Sequence, residues 1–146
     1  MTLQFAMLDD ELPHPHRAHP GDAGWDLCAR EGCTLKPGER RLIPTGVVVA
    51  IPDGYAGLLC ARSGLALRHG VGLVNSPGVI DSGYRGEVAV VLVNHDPLTP
   101  VQIERGERIA QLVVVPVFNG GAEVVTDSTA LDATDRGAGG FGSSGR

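Results

Sequence analysis

Nowhere in the 146 residues do enough apolar side chains run together to span a bilayer, and MTLQFAMLDDE at the N-terminus has no basic stretch leading into a long apolar one. The chain therefore reads as cytoplasmic, with no membrane partner. Lysine is nearly missing: of 12 basic residues all but Lys36 are arginine, whose planar fork suits phosphate, although a GC-rich genome biases composition the same way. The net charge of -5 excludes a general nucleic-acid binder with a basic surface. Cys28, Cys33 and Cys60 are odd in number and lack paired C-x-x-C spacing, so neither a disulfide framework nor a zinc site is indicated. Helical periodicity is scarce. Three histidines, His14, His16 and His19, lie in the proline-broken loop from Pro13 to Gly24, where no shared face aligns them, and they receive no role.

What is present is a series of short β-rich runs, separated by turn residues at intervals of roughly ten. Leu3, Phe5 and Met7 alternate with polar or small residues as a first strand with one half-buried face. Ala23 to Leu27 enters a second strand and puts Asp22 and Asp26 near the mouth of the preceding loop. The run Leu42 to Ile51 is broken by Pro44 and Gly46, which predicts an edge or a bulge. Tyr55 to Cys60, Val88 to Val93 and Arg108 to Val115 are further strands, and Leu35 to Glu39 and Glu104 to Glu107 are turns. One all-β domain over residues 1–125, a sandwich or jelly roll, follows from that spacing. The polar, aperiodic residues 126–146 read as an arm leaving it.

The best helical segment, Ala61 to Gly70, is barely two turns long, with Ser63 expected at its N-cap and Gly70 as its terminator. Its start joins Arg62 to the Ser63 hydroxyl, either as a small anion site or as a capped helix with a surface arginine. Gln111 interrupts the apolar strand from Arg108, and its amide needs a partner, either neighbouring backbone or a ligand oxygen. Asn75 to Glu87, NSPGVIDSGYRGE, reads as a rigid hairpin joining two strands. It places Asp81, Tyr84 and Arg85 within reach of one ligand, and its glycines let backbone approach a flat molecule closely. The tail from Arg136 to Arg146 is glycine-rich, as a linker would be. Yet Arg136, Phe141, Ser143 and Ser144 would suit a phosphate chain and a base. Two acidic positions, an anion site, this tail and a hairpin shaped for a flat edge are together the inventory for a nucleoside triphosphate with a divalent metal.

Five segments in order, AGWDL (Ala23 to Leu27), ARSGLA (Ala61 to Ala66), NSPGVIDSGYRGE (Asn75 to Glu87), RIAQLV (Arg108 to Val113) and RGAGGFGSSG (Arg136 to Gly145), resemble the five motifs of the trimeric dUTPases. The resemblance covers nearly the whole chain. It implies a distorted jelly-roll homotrimer, with active sites shared between subunits, that hydrolyses dUTP to dUMP and pyrophosphate with Mg2+. That reaction limits uracil in DNA and supplies dUMP for thymidylate synthesis. By the same resemblance Asp81 is the general base, and Asp26 holds the metal through water. Arg62, Ser63, Gly64, Gln111, Arg136, Gly142 and Ser143 contact the phosphates, while Arg108 is structural. Backbone near Asn75, Gly78, Val79 and Ile80 pairs with uracil and leaves no room for a 5-methyl group. Tyr84 packs on the deoxyribose against a 2'-hydroxyl, and Phe141 covers the base.

Trp25 and Ala61 stand where the family commonly has other residues, which bears on local packing. The rival enzyme, a dCTP deaminase of the same fold, would carry a glutamate at the position of Val91 and a different tail. A non-catalytic nucleotide-binding jelly-roll module is the alternative from another class; the presence of Asp26 and Asp81 speaks against it.

Overall fold

A computed structural model describes residues 2–140 and 143 of the chain. Its strands, in chain order, are β1 (Gln4–Met7), β2 (Gly24–Cys28), β3 (Cys33–Leu35), β4 (Arg40–Ala50), β5 (Tyr55–Cys60), β6 (Val71–Leu73), β7 (Gly78–Ile80), β8 (Val88–Asn94), β9 (Val101–Ile103) and β10 (Arg108–Pro116). An α-helix, α1 (Ser63–His69), lies between β5 and β6. The strands form two four-stranded sheets, ordered β1-β4-β8-β6 and β2-β10-β5-β7, and a β3-β9 ribbon. All pairings are antiparallel. The architecture is the expected all-β jelly roll. No helix among the described residues is long and apolar enough to cross a membrane.

The period-2 pattern of the strands builds the core between the sheets. From β8, Val88, Val90 and Leu92 are buried; they meet Ile43, Val47 and Val49 of β4, and Leu27, Leu59, Ile80 and Leu112 of the second sheet complete the same cluster. The other face of β8 carries Ala89, Val91 and Val93, apolar and only half-buried. Val91 stands opposite Leu42, which is 61% exposed. A strand apolar on both faces is usually covered on both, and this chain alone covers one.

Pro44 and Gly46 fall at a bulge, as the sequence predicts, although β4 lies between β1 and β8 rather than at an edge. The register shifts between Pro44 and Val47, and Gly46 takes φ +71°. At the bulge Thr45 Oγ1 donates to the Val88 carbonyl at 2.6 Å, which pairs the buried hydroxyl. The helix differs in one detail. Ser63 is its first residue rather than its cap; Arg62 is the N-cap, with no side-chain capping bond, and the left-handed Gly70 closes the other end as expected. After Pro116 the chain runs exposed to residue 138, with one 3-10 turn at Ser128–Ala130.

Candidate functional site

The segment 75–87 is more than a hairpin. β6 and β8 do pair with each other, but between them the chain crosses to the other sheet, where β7 pairs Gly78–Ile80 with Leu59–Gly57 of β5. β7 is the outer strand of that sheet, so its far edge offers backbone N–H and C=O groups with no strand partner among the described residues. A cleft of about 180 Å³ opens there, lined by Asn75, Gly78, Val79, Ile80, Asp81 and Tyr84 with Leu59, Val88 and Ala89. Packing is close at Gly78, where a Cβ would stand 3.3 Å from both Asn75 Nδ2 and Leu59 Cβ. The Asp81 carbonyl accepts the Tyr84 N–H at 3.0 Å, turning the chain so that both residues face the cleft. Arg85 does not join them. Its Nη1 donates to the Ser82 and Tyr84 carbonyls at 2.6 and 2.7 Å.

A second cleft, of about 510 Å³, lies at the opposite outer strand of the same sheet, β2. It gathers Asp22, Asp26, Arg62, Ser63, Gly64, Arg68, Arg108 and Gln111. Asp26 is its hub: Oδ1 is 3.0 Å from Arg62 Nε, and Oδ2 is 3.1 Å from Arg108 Nη1. The Gln111 amide finds a backbone partner, Nε2 donating to the Ala61 carbonyl at 3.1 Å, while the side chain still lines the cleft. Gly24 makes room for it, since a Cβ there would lie 2.5 Å from Gln111 Oε1. The loop before β2 is held by backbone, Asp26 N–H donating to the His16 carbonyl at 2.9 Å, and by Arg17, whose guanidinium lies 3.7 Å from the centroid of the Trp25 ring. Burial, and then the Asp26 charge, push the Cys28 thiol up from its ordinary range, so it stays a neutral packing group beside the cleft.

A cleft edged by free backbone, and a separate cluster of three guanidiniums about two carboxylates, are complementary to a base and to a polyphosphate. A model of the family dUTPase matches residues 10–145. The chain belongs to the dUTPase family. It is 55% identical over 145 residues to the deoxyuridine 5'-triphosphate nucleotidohydrolase of Nocardia farcinica, covering 98% of this chain and 85% of that one. To the enzyme of the same name from Thermobifida fusca it is 53% identical, covering 99% and 79%. Among solved structures, the Staphylococcus bacteriophage 80alpha dUTPase with dUPNHPP matches with a TM-score of 0.89 at 34% identity over 99% of both chains. A mutant dUTPase of phage phi11 of S. aureus, whose structure details the coordination of a structural Mg(II) ion, matches with a TM-score of 0.80 at 30% identity, covering 88% and 99%.

The dUTPase motifs are thus split in space. The third motif lines the first cleft, and the first, second and fourth meet in the other. In the fifth, Arg136 and Ser143 line a recess in the tail, and Arg136 Nε donates to the Gly139 carbonyl at 2.9 Å. Phe141, Gly142 and Ser144 lie outside the described residues. Sequence reasoning missed Arg68. The signal for it was the four-residue spacing from Gly64, which stacks both on one face of α1; a Cβ at Gly64 would be 2.9 Å from Arg68 Nη2.

Proposed function

We propose that this chain hydrolyses dUTP to dUMP and pyrophosphate. The observation that carries the reading is the Asp81 and Tyr84 pair beside the unpaired edge of β7. Strand-edge N–H and C=O groups of Gly78, Val79 and Ile80 bond the polar edge of uracil, Asn75 closes the end of the cleft, and a 5-methyl group meets backbone. Tyr84 packs on the deoxyribose. The phosphates lie against Arg62, Ser63, Gly64 and Gln111, joined by Arg68; closing the tail adds Arg136, Gly142 and Ser143, with Phe141 over the base. Asp81 takes a proton from a water whose oxygen attacks the α-phosphorus. The bond from that phosphorus to the bridging oxygen breaks, and pyrophosphate leaves with the electron pair. Donors fixed before the reaction, rather than a strong base, supply most of the acceleration.

Magnesium fits this donor set as an outer-sphere partner. Asp26 Oδ2 already accepts Arg108 Nη1 and Oδ1 is ion-paired with Arg62, and no cluster of three metal-binding side chains exists among the described residues. Asp26, with Asp22 in the same cleft, would therefore hold waters of a Mg2+ carried on the triphosphate, in keeping with the ion's reluctance to shed water. When bound, the metal neutralises phosphate charge.

The enzyme is a homotrimer in this reading. The two clefts lie at opposite outer strands of one sheet and share no lining residue among the described ones, which supports sites completed by a neighbouring copy. The uncovered apolar face of β8 and Leu42 supports a second copy as its cover. Residues 126–146 act as the arm that closes over a site. A deaminase reading has no acid to stand on, because Val91 lies on β8 opposite Leu42.

Product analysis with dUTP, dCTP, dTTP and UTP, with Mg2+ and with chelator, tests the proposal. Metal-dependent pyrophosphate release from dUTP alone supports it. Ammonia from dCTP, or binding without any product, contradicts it.

A further inference from the structure

The Tyr84 ring is held by the residues just beyond it. Its hydroxyl donates to the Glu87 carbonyl at 3.0 Å, and the ring lies across Gly86, where a Cβ would be 2.6 Å from Tyr84 Cζ. The anchor is therefore Glu87, which is itself gripped from another element. Glu87 Oε1 accepts the Gly46 N–H at 2.7 Å, at the bulge of β4, and Arg30 Nη1 lies 3.3 Å from Oε1 and 3.4 Å from Oε2. Next to it, the Val88 carbonyl accepts Thr45 Oγ1, so consecutive residues 87 and 88 are clamped by consecutive residues 45 and 46. The clamp is backed in turn. The Gly46 carbonyl accepts the Leu8 N–H at 2.7 Å, Arg30 N–H donates to the Pro44 carbonyl at 2.8 Å, and Arg30 Nε is 3.5 Å from Asp9 Oδ2.

The contrast with the loop itself is what gives this network a role. Residues 83 to 86 are exposed, and two of them are glycines, while the Glu87 side chain is only 27% exposed and accepts both a neutral and a charged donor. A ring that rejects one extra hydroxyl must stand at a fixed depth, since errors near 1 Å undo such recognition.

We infer that Glu87 is a positioning residue for sugar recognition: its carboxylate ties the Tyr84 end of the loop to the β4 bulge and so fixes the depth of the ring in the cleft. The inference rests on the proposed packing of Tyr84 against deoxyribose. It gives the bulge, which lines neither cleft, a part in discriminating dUTP from UTP.

The test compares kcat/KM for dUTP and UTP in wild type, Glu87→Gln, Glu87→Asp and Glu87→Ala, each checked for a cooperative melting transition. Glutamine retains an oxygen for the Gly46 N–H, so its dUTP to UTP ratio stays within about twofold of wild type. Aspartate is one methylene too short and alanine has no acceptor; each lowers the ratio about tenfold, the scale of one lost hydrogen bond, chiefly through faster UTP turnover. Glu87→Asp keeps the charge and carries the test should Glu87→Ala not fold. A wild-type ratio in folded Glu87→Asp or Glu87→Ala, or a glutamine variant as unselective as alanine, overturns the inference. Wild-type protein that itself fails to prefer dUTP over UTP overturns both this role and the reading beneath it.

Discussion

Arg62 Nε stands 3.0 Å from Asp26 Oδ1, so a cation assigned to phosphate is held in place by an acid assigned to metal-bound water. Arg108 takes the other oxygen, a contact consistent with a structural role. Asp26 is only 12% exposed, and removing its charge leaves two guanidiniums without their counter-ion. Asp26→Asn is expected to cost about 1–3 kcal/mol, seen as a lower Tm, and to raise the Mg2+ needed for half-maximal turnover. Inorganic pyrophosphate, by replacing the lost charge, should raise the Tm of the variant more than that of wild type. Equal shifts would count against the counter-ion role.

Gly24→Ala tests the place of Gln111. The new methyl group meets Gln111 Oε1 and Cβ, so the side chain must leave its bond to the Ala61 carbonyl. A three- to tenfold rise in KM for dUTP is expected, about the value of one hydrogen bond, with kcat changed less. Steady-state kinetics on the folded variant decides it.

Acid should loosen the pairing of Asp9 with Arg105. The hydrogen bond from Arg105 holds the Asp9 pKa below its ordinary 3.8, with the Glu11 N–H and the charge of Arg105 also contributing. A carboxyl lowered in the folded state adds stability above its unfolded pKa and loses it as pH falls through the folded value. Asp9→Asn is therefore expected to melt lower than wild type at pH 7. The gap should narrow below about pH 4, where wild type also loses the charge. Melting curves across that range check the sign.

Removing residues after Asp135 should leave the melting transition intact and reduce turnover at least about tenfold, because the tail supplies Arg136 and the residues proposed to close the site. An unchanged rate would reduce the tail to a linker.

The strands that carry β8, β10 and β4 are legible in the sequence because their apolar runs and the Pro44 and Gly46 interruption act locally. β3 and β9 are not. Each has three residues and exists through pairing with the other, across 68 positions for Thr34 and Gln102. For the same reason the crossing of Gly78–Ile80 to β5 was hidden within an apparent hairpin. At the site, the residue types of each motif could be read, but not that Arg108 would meet Asp26 from 82 positions away. Arg62 rather than Ser63 is the N-cap, and its side chain pairs with Asp26, 36 positions earlier, an ion pair that no local pattern shows.

The most direct test of the account is Asp81→Asn, assayed for binding of a non-hydrolysable dUTP analogue beside pyrophosphate release from dUTP. Binding within a few-fold of wild type, with turnover lowered by about 10²–10⁴, is the result predicted for a general base at the edge of the uracil cleft. Turnover at the wild-type rate, or loss of binding with normal turnover at saturation, would contradict it.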